Sequence, residues 1–339
     1  MTDPLHATDR ASTGRSTRPL RLGTRRSLLA TTQSNLVADL LRAQGWQVEL
    51  VVIVSEGDRS QAAGTPITGS SATGVFVSAL RTALLAGEID LAVHSLKDLP
   101  TAPAPGITLA AVPEREDPRD VLVARDGLAL TQLPAGARVG TGSPRRAAQL
   151  RALGLGLDLV AVRGNVDSRI GKVASGEYDA VVLARAGLAR IARLDEVTDV
   201  LDAQQILPAP GQGALAVECR SADAATLAAL APLDHPASRA AVLAERAVLA
   251  RLEGGCAAPI GTLAQTHGDE LRVSAVALSP DGARSVRREA AGPVADAHLI
   301  GVRLAEQMLA DGAAELADPS ADPTGGHGAA PEQDKVHNA

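Results

Sequence analysis

Cys256, Asp98 and a set of arginines are the residues of this chain whose types and spacing could do chemistry. Cys256 sits in Leu252-Glu253-Gly254-Gly255-Cys256-Ala257-Ala258-Pro259. Two glycines remove steric cover and let the backbone bend, so this run presents a thiol on a loop. Such a thiol is either an idle surface cysteine or a covalent attachment point. The other cysteine, Cys219, ends the apolar run Ala214-Leu215-Ala216-Val217-Glu218-Cys219 and reads as a small core hydrophobe on a strand. Asp98 stands beside Lys97 in His94-Ser95-Leu96-Lys97-Asp98. A carboxylate kept ionised by a nearby cation suits acid/base work; the alternative is a helix N-cap. His94 has no His or Cys partner at ligand spacing and is read as structural, so no metal is expected.

The arginines matter by position. Arg21 and Arg25 flank a strand-like run, and Ser27 is a good N-cap for the helix that follows. Ser143-Pro144 supplies an N-cap and a first-position proline, which places Arg145 and Arg146 in the first helical turn. Arg163-Gly164-Asn165 again joins strand to helix, with Arg169 about one turn in. Cations in a first turn oppose the helix dipole, at about 0.3–1 kcal/mol each, and an anion reverses the sign. These arginines either pair with surface carboxylates or converge on an anion. Three such junctions together point to a cleft for a ligand with several carboxylates or phosphates. No Walker A run and no G-x-G-x-x-G occurs, so a nucleotide is not indicated.

Alternating strand-like and helical runs must position these groups. Strands are predicted over 20–23 and 48–54 around a helix over 27–43 with Leu28, Leu29, Leu36, Val37, Leu40 and Leu41 as its apolar residues. Further strands over 91–93 and 108–112 follow a helix near 75–85. A second series runs 121–123, 138–141, 157–162 and 180–183, with helices starting near Ser143 and Asn165. This alternation implies an α/β class with parallel sheets covered on both faces. Residues 113–118 and 206–213 are proline-bounded breaks that read as crossovers between two α/β units. After residue 236 a helix (239–252), strand-like runs (271–278, 285–288) and a last helix (297–309) suggest a small α+β unit.

The expected division is therefore 19–113 with 214–231 as domain 1, 114–213 as domain 2 and 232–317 as domain 3. The extensions 1–18 and 318–339 are polar and aperiodic, and are expected to be disordered. The chain has 339 residues, a net charge of −6 and 45% hydrophobic content, yet a single Trp46, Phe76 and Tyr178. With no basic excess and few rings to stack bases, nucleic acid is not an expected partner. Two cysteines make no disulfide framework, and no run is long enough to span a membrane. Arg25-Arg26-Ser27-Leu28-Leu29 resembles a twin-arginine export signal only superficially, because Thr31, Thr32, Gln33, Ser34, Asn35 and Asp39 interrupt it. A cytoplasmic location is expected. Only Lys97, Lys172 and Lys335 are lysines, so Lys97 is a candidate for a place where arginine does not fit.

Several motifs occur together in order: Val93-His94-Ser95-Leu96-Lys97-Asp98-Leu99-Pro100, Arg115-Glu116-Asp117-Pro118-Arg119-Asp120, Arg163-Gly164-Asn165-Val166, Gly211-Gln212-Gly213-Ala214 and Leu252-Glu253-Gly254-Gly255-Cys256. In this the chain closely resembles the porphobilinogen deaminase (hydroxymethylbilane synthase) family over about residues 19–316. The resemblance implies two lobes like the halves of a type II periplasmic binding protein plus a small α+β domain carrying the cysteine. It implies a dipyrromethane cofactor held by a thioether to Cys256. It implies a transferase of tetrapyrrole and heme biosynthesis that condenses four porphobilinogen molecules head to tail, losing ammonia, and releases linear hydroxymethylbilane. By the same resemblance Asp98 is catalytic. Lys97, Ser27, Ser143, Arg145 and Arg146 contact the cofactor, and Arg21, Arg25, Arg163, Arg169 and Arg190 bind substrate carboxylates. A monomer is expected. The weighed alternatives are a non-catalytic two-lobed anion-binding protein, which needs neither Cys256 nor Asp98, and a regulator's ligand domain, for which no DNA-binding module is evident.

The chain departs from the family pattern in places. Gly142 stands where many members have a serine. Gly69 and Thr73 replace lysines of a mobile loop before Gly74-Val75-Phe76, and Glu56 replaces an arginine.

Overall fold

The computed structural model describes residues 18–54, 72–253 and 259–317. Its first sheet has the order β2-β1-β3-β10-β4, built from β1 (Leu20–Thr24), β2 (Val48–Val52), β3 (Leu91–Ser95), β4 (Ile107–Ala111) and β10 (Leu215–Arg220). Its second has the order β7-β6-β8-β5-β9, built from β5 (Asp120–Ala124), β6 (Arg138–Gly140), β7 (Asp158–Val160), β8 (Ala180–Ala184) and β9 (Asp199–Val200). The two orders are the same pattern. In each, the strand in second position (β1 or β6) has a parallel neighbour on either side, and the fourth position is taken by a strand that has just crossed from the other lobe.

That crossing strand overturns the expectation of parallel sheets. β10 is antiparallel to β3 and β4, and β5 is antiparallel to β8 and β9. Each sheet is mixed because the strand that enters a lobe through a crossover runs against the other strands of that lobe. The consequence is local and chemical. An antiparallel strand begins where its parallel neighbours end, so the starts of β5 and β10 lie at the carboxyl edge of their sheets. The register shows it: Asp120 pairs with Ala184, and Leu215 with Ser95.

The helices of the two lobes are α1 (Leu28–Ala43), α2 (Ala72–Leu85), α3 (Pro144–Ala152), α4 (Val166–Ala174), α5 (Arg185–Arg190) and α6 (Ala224–Leu230). Ser27, Ser143 and Asn165 are the N-caps of α1, α3 and α4, each accepting a bond from the backbone N–H three residues on. The buried stripe of α1 is Gln33, Ser34, Val37, Ala38 and Leu41, at helical spacing. Leu28, Leu36 and Leu40, expected on that apolar face, are exposed instead. Polar side chains take the sheet-facing places because they have partners there: the Ser34 hydroxyl donates to Thr24 Oγ1 at 2.8 Å, and Gln33 Nε2 donates to Ser95 Oγ at 2.9 Å. Leu22, Leu91, Val217 and Cys219 complete the core beneath α1, which has to be aliphatic in a chain so poor in aromatics. Burial pushes the Cys219 thiol up to about 11, which makes it an inert core residue.

The last part is an antiparallel meander, β11 (Ile260–His267), β12 (Glu270–Leu278) and β13 (Ser285–Pro293), packed on α7 (Pro236–Glu253) and α8 (Ala297–Ala310). β11 was not foreseen in the sequence. Glu245 on α7 joins this unit to both crossovers. It is fully buried and receives two bonds from Arg115 (2.7 and 3.0 Å), one from Gly211 N (2.6 Å) and one from Ala264 N (2.8 Å). The crossovers also touch each other, through Glu116 N to Gly213 O at 3.2 Å. No described helix is long and apolar enough to cross a membrane.

Candidate active site

The carboxyl edge of the first sheet opens into a cavity of about 260 Å³. Arg25, Ser27, Gln33, His94, Ser95 and Asp98 are among its lining residues. Arg25 and Ser27 arrive there at the β1–α1 junction, and Asp98 at the end of the 3₁₀ turn Leu96–Asp98 that follows β3. Asp98 is exposed, and its carboxylate makes no hydrogen bond to any described residue. It is not an N-cap: Ser95 holds that place. Behind it, His94 Nε2 lies 3.3 Å from Glu218 Oε2, and Arg81 binds Glu218 at 2.7 and 3.0 Å. Burial works to raise the Glu218 pKa, but His94 and Arg81 outweigh it and hold the carboxyl at about 2. His94 Nε2 thus faces a carboxylate without a hydrogen bond of good geometry among the described residues.

The second sheet contributes a buried cation cluster. Arg145 Nη2 and Arg146 Nη2 donate to the two oxygens of Asp120, at 2.8 and 2.7 Å, and all three side chains are buried. Burial works to raise the Asp120 pKa, yet the two guanidinium charges hold the carboxyl far below its usual range. The anion expected to compensate first-turn arginines is therefore partly internal. One carboxylate balances two guanidiniums, and a further cation is close. Lys97 Nζ donates to Gln212 Oε1 at 3.2 Å, and burial, reinforced by the charge of Arg146, pushes its ammonium down to about 8. Arg169 is also pushed down by burial and then by Arg146, while its Nε donates to Gly164 O at 2.9 Å. The Nε atoms of Arg145 and Arg146 are buried with no hydrogen-bond partner among the described residues. Positive charge in excess and buried donors to spare fit a ligand with several carboxylates.

The remaining sequence candidates divide. Arg163 is exposed at the β7–α4 junction. Arg190 ends α5 and donates to Gly213 O at 2.6 Å, so it grips the crossover, and burial lowers its pKa to about 10. Arg21 is a correction. It lies near the opposite end of β1 and binds Asp90 at 2.9 and 3.2 Å and Gly87 O at 2.6 Å. Arg18 and Arg220 share the same buried Asp90. The bond to Asp90 raises the pKa of Arg21, and the side chain is a structural tie away from the cavity. Cys256, Glu56 and Gly69 lie outside the described residues, as do 1–17 and 318–339. Thr73 belongs to the backbone of α2.

Gly142 has a steric reason. A Cβ there would lie 2.7 Å from the carbonyl oxygen of Val162, a backbone atom that cannot swing aside. Gly142→Ser, which would restore the family's hydroxyl, is therefore expected to displace the start of α3 and cost about 1–3 kcal/mol. Thermal melting checks this; an unchanged midpoint would mean the strand yields freely.

Sequence reasoning missed Asp120 and Gln212. Both lie inside motifs that were noticed, but neither shows its role without the antiparallel starts of β5 and β10. Among the described residues no group of His, Cys, Asp and Glu is arranged to hold a metal ion.

Residues 20–228 match the family model described as "Porphobilinogen deaminase, dipyromethane cofactor binding domain", and residues 239–310 match "Porphobilinogen deaminase, C-terminal domain". The chain belongs to the porphobilinogen deaminase family. Proteins of that name from Thermobifida fusca and Streptomyces coelicolor (porphobilinogen deaminase 1) are 58% and 57% identical over 311 residues. The matches cover 89% and 88% of this chain and 96% and 97% of those proteins. One from Mycobacterium tuberculosis is 53% identical over 306 residues, covering 88% of this chain and 98% of that one. As a porphobilinogen deaminase the chain is a transferase of porphyrin biosynthesis with a dipyrromethane cofactor domain, and the non-catalytic alternative is not favoured. Solved structures also align at low similarity. A methionine-binding lipoprotein of Bacillus subtilis gives a TM-score of 0.39 at 13% identity over 63% of this chain and 89% of that one. A substrate binding domain of an amino acid ABC transporter from Streptococcus pneumoniae gives 0.40 at 13% over 63% and 91%. The two-lobed architecture rests on the repeated strand order rather than on these.

Proposed function

We propose that this porphobilinogen deaminase holds its dipyrromethane through a thioether to Cys256 and uses Asp98 as its catalytic carboxylate. The observation that carries the reading is the cluster of Lys97, Arg145 and Arg146 around the single carboxylate of Asp120, beside a cavity lined by Arg25, Ser27 and Asp98. When bound, the cofactor supplies the free pyrrole α-carbon to which porphobilinogen is joined. Arg145, Arg146, Lys97, Ser27 and Ser143 would hold its acetate and propionate groups. Arg25, Arg163, Arg169 and Arg190 would meet the carboxylates of incoming units and of the growing chain. The Asp98 carboxylate accepts pyrrole N–H groups, stabilises positive charge as the amine leaves, and takes up the proton released on carbon–carbon bond formation. Its exposure and lack of a described partner keep its oxygens available for this.

Leu252 on α7 is buried, and Thr262 N on β11 donates to Pro208 O of the second crossover at 2.9 Å. Residues 19–113 with 214–231, 114–213 and 232–317 are taken as the three domains. The protein is read as a cytoplasmic monomer.

Intact-mass measurement tests the reading. The purified enzyme is expected to exceed its sequence mass by two linked pyrrole units. Cys256→Ala is expected at the bare mass, with activity lost. An unmodified wild-type chain turning over at full rate would sink the tether.

A further inference from the structure

Gln212 lies in the second crossover between two glycines of positive φ, 75° at Gly211 and 87° at Gly213. Neither has room for a Cβ: Gly211 abuts Leu96 and Gly213 abuts the carbonyl of Glu116. The Gln212 carbonyl accepts from Arg115 Nε at 2.8 Å. The backbone at this point is therefore held on every side, and the side chain is buried with it.

Both N–H donors of the amide and one lone pair of its oxygen are engaged. Nε2 donates to Pro118 O at 2.7 Å and to Asp120 Oδ1 at 2.7 Å, while Oε1 accepts from Lys97 Nζ at 3.2 Å. Chemistry alone assigns the amide orientation, because a carbonyl and a carboxylate need a donor and an ammonium needs an acceptor. One side chain thus joins a cation of the first lobe to the carboxylate that balances two arginines of the second. It does so from the segment that connects them.

We infer that Gln212 is a positioning residue of the active site, fixing Lys97 relative to Asp120, Arg145 and Arg146 so that the ammonium faces the carboxylates of the bound pyrroles. The inference deepens the site reading above and rests on it. The groups that face Lys97 are Arg146 and Arg145, which disfavour its charge, and Asp98 and Asp120, which favour it. Gln212 Oε1 is the neutral acceptor in this set. Without it a half-buried ammonium loses a charge-assisted bond.

Having only three lysines makes the test direct. Holoenzyme labelled with ¹³Cε-lysine should give separable NMR titrations for Lys97, Lys172 and Lys335. The wild-type Lys97 midpoint is the reference for both variants. Gln212→Met and Gln212→Leu, which remove the acceptor at similar volume, should each lower it by about one pH unit. The alkaline limb of kcat/KM for porphobilinogen should move with the midpoint in each variant. Should the Met variant not fold, the Leu variant alone decides. A Lys97 midpoint unmoved in the folded variants overturns the inference. A limb that stays in place while the midpoint moves also overturns it, and leaves the Asp98 and Cys256 assignments standing, since intact mass and Asp98→Asn test those separately.

Discussion

Asp98→Asn is expected to lower kcat by about 10²–10⁴-fold, the range ascribed to a positioned acid/base group. The replacement is isosteric, and the residue it replaces is exposed and hydrogen-bonded to no described residue. The fold should therefore not notice it. The amide still offers an oxygen to a pyrrole N–H, so substrate binding falls less than turnover. It has no negative charge to stabilise a cation and cannot take up a proton at neutral pH. Steady-state kinetics with intact mass separates the possibilities. The expected outcome is a cofactor-loaded protein with normal melting and almost no turnover. Near-normal rates would remove Asp98 from its assigned role.

Asp120→Asn should act on stability instead. The change leaves Arg145 and Arg146 buried without their carboxylate, and breaking a buried pair from one side costs about 3–5 kcal/mol. Urea denaturation at neutral pH measures it, and a loss below about 1 kcal/mol would mean that another anion balances the arginines. The pH dependence has a definite sign. The folded-state pKa of Asp120 is depressed, so its contribution is complete above the unfolded-state value of about 3.9 and fades as pH falls toward the depressed one. Wild type should lose that contribution progressively below about pH 4. In Asp120→Asn that part of the acid sensitivity should be absent.

Several parts of the site were legible in the chain because their signals are local. Ser27, Ser143 and Asn165 read as N-caps from the residues around them, and each caps in the fold. Arg25 and Asp98 follow strand-like runs at junctions that open on the cavity. Arg21 misled because strand ends look alike in sequence. Only pairing with Asp90 across β1 and β3 shows that it sits at the amino edge. The apolar residues of α1 misled for a related reason. Hydropathy does not reveal that Gln33 and Ser34 find partners on the sheet and so take the buried stripe.

What the order of residues determined by itself is the chemical inventory: a lone loop thiol, a carboxylate beside a lysine, capped helices led by arginines, and motifs whose joint occurrence names the family. The direction of the returning strands was decided only in three dimensions. Because β5 and β10 run against their neighbours, Asp120 and the crossover bearing Gln212 arrive at the edge where the parallel strands end. Strand direction depends on contacts between residues far apart along the chain, to which periodicity within a segment is blind.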